Sequence, residues 1–242
     1  LFVSDVTLEK WQTLLERART GQREDVAAAV QTYFEEMVLA WVKANVKTDE
    51  DLCVAGGVFA NVQLNGLLLN CCRRLFVAPA MNDGGLAAGG ALWALPWINE
   101  SQYDSCLGTG LGQPTMSPDE VASCLQAGQI VGVAWGKMEY GPRALGRRSI
   151  LATATSKALA DKLNALLRRN DFMPFAPVIL EEFAPDILEG FTNLTDQPSA
   201  RHMSLVYKVQ LEWHKRLEAV LHLDGTVRPQ VVTEADGWYY QV

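Results

Sequence analysis

The sequence predicts an α/β fold in two units. Over the first hundred residues, short apolar runs that stop at glycine alternate with helix-length amphipathic segments. Glycine pairs stand where strands would hand over to helices, at Gly56-Gly57 and Gly84-Gly85. A complete helix-start signal at Ser117 then opens a second stretch, richer in strand-like runs.

Taken in order, residues 8–18 and 24–45 read as helices. In the second, Val26, Val30, Tyr33, Phe34, Met37, Val38, Trp41 and Val42 recur at helical spacing. Residues 52–58 form an apolar run ending in two glycines, which suits a buried strand entering a turn. Residues 61–72 then read as helix, 75–78 as strand and 85–93 as a small-residue helix. Residues 97–116 carry Gly, Ser, Pro and Asn without periodicity, so a linker is expected at 101–116, between a first unit at 1–100 and a second at 117–242. Ser117-Pro118-Asp119-Glu120 supplies a hydroxyl N-cap, Pro at the first helical position and Glu at the third, a capping box for a helix over 118–126. Strands are expected at 130–135 and 149–154, a helix at 157–168, and strands near 176–180, 204–210 and 219–223.

Composition narrows the function classes. At 49% hydrophobic and 20% charged, the 242 residues have ordinary soluble composition. The longest apolar-rich stretch, Gly84 to Ile98, is too short and glycine-rich to span a bilayer, and no signal peptide is recognisable, so a cytoplasmic protein is expected. The cysteines, Cys53, Cys71, Cys72, Cys106 and Cys124, are odd in number and lack CxxC spacing, which favours buried thiols over disulfides or zinc knuckles. His202, His214 and His222 form no HxxxH or HExxH pair. The net charge of −7 argues against a nucleic-acid partner. Between Lys137 and Asn170, however, eight Lys/Arg residues face only Glu139 and Asp161. A basic island in an acidic protein suits a small anion better than a long polyanion.

Four constellations carry chemistry. Gly56-Gly57-Val58-Phe59-Ala60-Asn61 would let backbone approach a nucleotide, with Asn61 bonding a sugar or base edge; a plain strand-to-helix turn explains it as well. Asp83, in Asn82-Asp83-Gly84-Gly85, stands at a strand-to-helix junction where an acid reaches a metal, or simply caps the helix. The segment from Lys137 to Ser149 sets Lys137, Arg143, Arg147, Arg148 and Ser149 on a loop shaped by Gly141, Pro142 and Gly146, with Glu139 placed to orient an arginine or bond an amide. Those cations are expected to converge on one pocket for a phosphorylated molecule. Last, His222-Leu223-Asp224-Gly225-Thr226-Val227-Arg228 offers His222 as an acid or base and Arg228 as an anion ligand, or else an ordinary Asp-Gly turn.

In this order the segments resemble the carbamoyltransferase family of nodulation (NodU-type) and antibiotic-tailoring enzymes. GGVFAN…LNG and PAMNDGGLAAGGAL look like the end of its sugar-kinase/actin-like ATPase domain. IVGVAWGKMEYGPRALGRRSILA, MPFAPVILEE and HLDGTVRPQ look like motifs of its YrdC-like domain. The resemblance implies the C-terminal part of the first domain followed by an incomplete YrdC-like domain. It also implies a two-step reaction: ATP and carbamoyl phosphate give carbamoyl-adenylate, and the carbamoyl group passes to a hydroxyl of a sugar-like or natural-product acceptor. Lys137, Arg147 and His222 would be catalytic. Lys137, Arg143, Arg147, Arg148, Ser149 and Arg228 would bind carbamoyl phosphate and ATP, and Gly56, Gly57 and Asn61 the nucleotide in the transfer site. Asp83 would be one ligand of a divalent metal, iron or magnesium.

The chain departs from the family pattern at three points. It has no HxxxH pair, Met173 stands where the pattern has Arg before Pro-Phe-Ala-Pro, with Arg168 or Arg169 as substitutes, and no LNTSFN-like motif follows. The expectation is therefore a segment of a longer enzyme, inactive without its N-terminal half. Two other readings are a relative of tRNA threonylcarbamoylation or hydrogenase-maturation carbamoylation enzymes, and a noncatalytic nucleotide- or anion-binding fragment. The first meets an acidic surface and a lack of CxxC pairs.

Overall fold

The computed structural model describes residues 5–95, 105–169 and 174–242. Met173 and residues 101–104 of the expected linker lie outside the described residues. The chain divides into two compact units, Leu1–Thr48 and Asp49–Val242. The first is a helix pair, α1 (Asp5–Ala18) and α2 (Arg23–Asn45). Glu24 and Asp25 in the first turn of α2 and Lys43 in its last complement the helix dipole.

The second unit opens with β1 (Asp51–Val54), which pairs in parallel with β2 (Arg74–Val77), Asp51 opposite Arg74 and Val54 opposite Val77. The expected strand over 52–58 stops at Val54 because Gly56 turns to φ 109°, a conformation that favours glycine. Between the strands runs α3 (Val62–Leu68), whose first turn is capped by Asn61 Oδ1 accepting from Leu64 N at 3.2 Å. After β2 comes α4 (Leu86–Ala94), entered through a 3₁₀ turn at Asp83–Gly85. Asn82, not Asp83, caps that turn, its Oδ1 accepting from Gly84 N.

Residues 105–112 are not a free tether. They lie along 136–140 and exchange backbone bonds with it: Gly108 N to Met138 O, Met138 N to Thr109 O, Leu111 N to Gly136 O and Tyr140 N to Ser105 O. Next, α5 (Pro118–Gln126) starts with the anticipated capping box, Ser117 Oγ accepting from Glu120 N and Glu120 Oε2 from Ser117 N. An antiparallel pair follows, β3 (Val131–Ala134) with β4 (Arg148–Leu151). Helix α6 (Lys157–Leu166) ends short of the expected residue 168, because Arg168 turns to φ 50° and closes the helix.

The remaining strands are shorter than the apolar runs suggested. β5 (Val178–Leu180) pairs in parallel with β8 (Gln230–Val232), and β6 (Tyr207–Lys208) pairs antiparallel with β7 (Thr226–Val227). Short helices α7 (Ala184–Ile187) and α8 (Trp238–Gln241) complete the element order. Residues 219–223 are not a strand. Val220 N and Leu221 N both donate to Leu217 O, and Leu217 and Val220 are buried together, so the apolar spacing belongs to a helical turn. The α/β class holds, built from two-stranded sheets among the described residues.

One buried hydroxyl stitches the early sheet to later sequence. Ser199 Oγ accepts from Val77 N at 2.7 Å and donates to Leu75 O at 3.0 Å, and Ser199 is fully buried. Ser199→Ala leaves a buried amide and a carbonyl without partners. It should lower stability by about 1–3 kcal/mol, read as a shifted urea midpoint; an unchanged midpoint would show that the contact carries no stability.

Candidate functional site

Glu139 organises the loop between β3 and β4. Its residue is 9% exposed, and one carboxylate oxygen, Oε1, accepts three backbone amides: Leu145 N at 2.8 Å, Arg147 N at 2.6 Å and Arg148 N at 2.9 Å. Burial alone would raise its pKa, but the amides outweigh it and hold the carboxyl below its ordinary range. Ser149 Oγ accepts from Gly146 N, Gln230 Nε2 donates to Leu145 O, and Trp135 Nε1 donates to Gly146 O. Two glycines are obligatory here. Gly146 sits at φ 92°, and a Cβ would lie 2.3 Å from the Tyr239 ring; Gly141 sits at φ 129°, and a Cβ would lie 2.9 Å from Pro79 O.

The loop fixed in this way sends its cations to different places. Arg143 turns into a cavity of about 720 Å³ that also takes Ser149, Arg169 and Arg228. Leu163, Phe175, Pro177, Val220 and Tyr239 give it apolar walls, and among the described residues no Asp or Glu side chain lines it. Burial lowers the Arg143 pKa. Arg228 is pushed down to about 10, by burial first and then by the positive charges of Arg143 and Arg169. Arg143 Nε and Arg228 Nη1 are buried with no hydrogen-bond partner among the described residues. Buried donors of this kind call for an acceptor. The guanidinium of Arg169 lies 4.5 Å from the Phe175 ring centroid, above the wall of the same cavity.

The expected convergence of every cation in 137–149 is therefore corrected. Arg148 spends its guanidinium on the carbonyls of Trp135, Arg147, Thr109 and Gly136, which makes it a pin for the linker and loop. Arg147 stacks on the Trp135 ring, 3.6 Å from its centroid, and lines a second, larger cavity. Lys137 is exposed, on the backbone bridge to Gly110. The physical reason is alternation: successive residues of a strand point to opposite faces, so Arg148 and Ser149 of β4 part company.

The larger cavity, about 1300 Å³, collects Gly56, Asp83, Gly85, Arg147, Arg201, His202 and Gln230. Gly56 N donates to Met81 O, which ties the Gly-Gly turn to the Asp83 turn. A side chain at Gly57 would meet open space, and Asn61 serves α3 as its cap. Asp83 is exposed, and no group of three His, Cys, Asp or Glu suited to a metal occurs among the described residues. The described residues thus do not by themselves fit a metal centre. His222 lies in neither cavity lining; its Nδ1 is 2.9 Å from Thr226 Oγ1. Phe175 was legible only as part of the MPFAPVILEE motif, and Tyr239 joins the candidate site without a sequence signal. Arg169 was legible only as a substitute for a cation absent at Met173.

Two family models match the chain, Carbamoyltransferase N-terminus over residues 4–92 and Carbamoyltransferase C-terminus over residues 122–242. The chain belongs to the carbamoyltransferase family. It is 35% identical over 231 residues to nodulation protein U of Rhizobium tropici, covering 88% of this chain and 39% of that relative. It is 33% identical over 243 residues to nodulation protein NolO of Bradyrhizobium diazoefficiens, covering 88% and 44%. It is also 30% identical over 270 residues to an uncharacterized protein of Methanocaldococcus jannaschii, covering 96% and 42%. The chain thus spans about two-fifths of the length of these relatives. The two carbamoyltransferase segments meet at the Glu139 loop: Arg143 Nη2 donates to Ala60 O at 3.4 Å, Tyr140 Oη donates to Gly84 O, and Gly141 packs on Pro79. Among the described residues no helix is long and apolar enough to cross a membrane.

The Glu139 cluster gives a pH signature. A carboxyl whose folded pKa lies below its unfolded value, about 4.3, stabilises the fold above that value and loses its contribution as pH falls through the folded pKa. Glu139→Gln should therefore lower the unfolding midpoint at neutral pH, with the gap to the parent closing in acid. The loss at neutral pH should be on the order of 1–3 kcal/mol, the scale of charge-assisted bonds. A gap that persists unchanged in acid would show that the charge on Glu139 is not what holds the loop.

Proposed function

We propose that the chain carries the carbamoyl-adenylate-forming site, and part of the carbamoyl-transfer site, of an ATP- and carbamoyl phosphate-dependent O-carbamoyltransferase. Membership of the carbamoyltransferase family supports carbamoyl transfer. One observation carries the finer reading: three arginines share a cavity, and among the described residues two of them, Arg143 and Arg228, hold buried donors without a hydrogen-bond partner. A ligand with several phosphate oxygens completes such a site, because guanidinium forks bind phosphate bidentately and an anion relieves the repulsion among like charges. A volume of about 720 Å³ suits a nucleotide-sized molecule.

On this reading Arg143, Arg169 and Arg228 hold phosphate groups and offset charge that develops as the adenylate forms. Ser149 already accepts from Gly146 N, so its own proton is available to the ligand. Phe175 and the other apolar walls would receive the less polar end of the molecule. Lys137 and Arg148 leave the set of ligands, since one is exposed and the other is spent on carbonyls. Arg147, Gly56 and Asp83 belong to the larger cavity, which we assign to the transfer step. There the acceptor hydroxyl attacks the carbamoyl carbon and gives up its proton to solvent, the bond from that carbon to the adenylate's phosphate oxygen breaks, and AMP leaves. The divalent metal implied by the family pattern would draw its other ligands from elsewhere, and no step here runs through it.

The domain reading follows the same lines, with residues 1–100 from the kinase-like transfer domain and 117–242 from the YrdC-like domain. The boundaries of the two family matches support that division.

Calorimetry with inorganic pyrophosphate and carbamoyl phosphate tests the site. Arg228→Ala and Arg143→Ala should each weaken binding by roughly tenfold to more than a hundredfold, the equivalent of about 1.5–3 kcal/mol. Lys137→Ala should leave it nearly unchanged. Equal affinity in Arg228→Ala and the parent would remove the assignment, and binding without adenylate formation by the longer enzyme would favour a noncatalytic anion module.

A further inference from the structure

The wall of the larger cavity holds one acceptor and one donor that the fold leaves unmet. Gln230, at the start of β8, lines that cavity and is 3% exposed. Its backbone is held by a bond from Gln230 N to Pro177 O at 2.9 Å. Its side-chain amide has one workable orientation. Nε2 donates to Leu145 O at 3.1 Å, and the amide turned over would set oxygen against oxygen. Oε1 is therefore the end left over, buried and without a hydrogen-bond partner among the described residues.

Arg147 lines the same cavity, two residues after Leu145, and the amides of both meet Glu139 Oε1. Its guanidinium is placed by the Trp135 ring, 3.6 Å from the centroid. Gly136, at φ 54°, leaves it room, since a Cβ there would lie 3.0 Å from Arg147 Nη1. The ring covers a face of the guanidinium and leaves its N–H edges, which make no hydrogen bond or ion pair among the described residues. The other arginines of this wall are engaged, Arg74 with Asp51 and Arg201 with Asp236. A buried amide oxygen without a donor is costly, and it calls for a partner from outside the fold.

We infer that Gln230 and Arg147 select the carbamoyl group in the larger cavity, Gln230 Oε1 accepting from its amino group and Arg147 donating to its carbonyl oxygen. A ligand that completes the pair must bring an N–H for the one and an oxygen for the other. A carbamoyl group carries both on a single carbon. An acetyl group has nearly the same shape and the same carbonyl oxygen, but it sets a methyl against Oε1. Size separates these two groups poorly, whereas a site built to bond an N–H rejects the analogue that lacks it. This role rests on the assignment of the larger cavity to carbamoyl transfer, and it adds which acyl group that cavity accepts.

Calorimetry on the full chain with two stable adenosine esters isolates the N–H contact. One ester is a carbamate and the other an acetate, both at the primary hydroxyl of the ribose. The parent should bind the carbamate roughly tenfold more tightly or better. Gln230→Met should erase that preference, while Arg147→Met should weaken both esters alike and keep it. Equal affinities in the parent would overturn the selection, and that comparison needs no variant to fold. A preference untouched by Gln230→Met would overturn it as well. If the parent binds neither ester, the assignment of an adenylate to this cavity fails on its own. Methyl carbamate and methyl acetate then decide the pair, through NMR shifts of the Gln230 side-chain amide in the full chain. A shift with methyl carbamate alone keeps the selection; a shift with both, or with neither, overturns it.

Discussion

One carboxylate oxygen, Oε1 of Glu139, gathers the amides of Leu145, Arg147 and Arg148, and the shape of the candidate site in the large unit follows from that knot. Amides pointing inward from a tight loop are costly when buried unless an acceptor meets them, and an ionised acceptor meets them best. Once the loop is closed on Glu139, the directions of its side chains are no longer free. Arg143 is driven toward Arg228, Arg147 lies over the Trp135 ring, and Arg148 folds back onto carbonyls.

The same knot joins parts of the chain that are distant in sequence. Gly141 lies against Pro79 with no room for a side chain, and Tyr140 reaches the carbonyl of Gly84. On the other side Gly146 admits the ring of Tyr239, and Gln230 holds Leu145. The loop is therefore a shared wall between two cavities, one with Asp83 and the glycine turn, the other with the three arginines. A common wall of this kind fixes the residues lining each cavity relative to those lining the other.

Charge is distributed in keeping with this. Surface pairs such as Arg73 and Arg74 with Asp51 neutralise one another in solvent, where such contacts contribute little. Inside the smaller cavity Arg228 feels burial first and then the positive charges of Arg143 and Arg169, which hold its pKa down. Arg201, by contrast, is paired with Asp236 beside the larger cavity.

What the sequence determined by itself was local: the capping box at Ser117, the helices at 24–45 and 118–126, the strands around Leu52 and Leu75, and the loop-shaping roles of Gly141 and Gly146. These depend on spacing and on backbone conformations available to few residues, so they are written where they act. Tertiary structure alone decided which cations share a cavity. Neighbours in a sequence alternate in direction, and Arg228 and Arg169 come to Arg143 through strand pairing and a helix end that no local pattern encodes. It also decided that Leu217 and Val220 belong to a helical turn, because a short apolar run fits either conformation until long-range packing selects one.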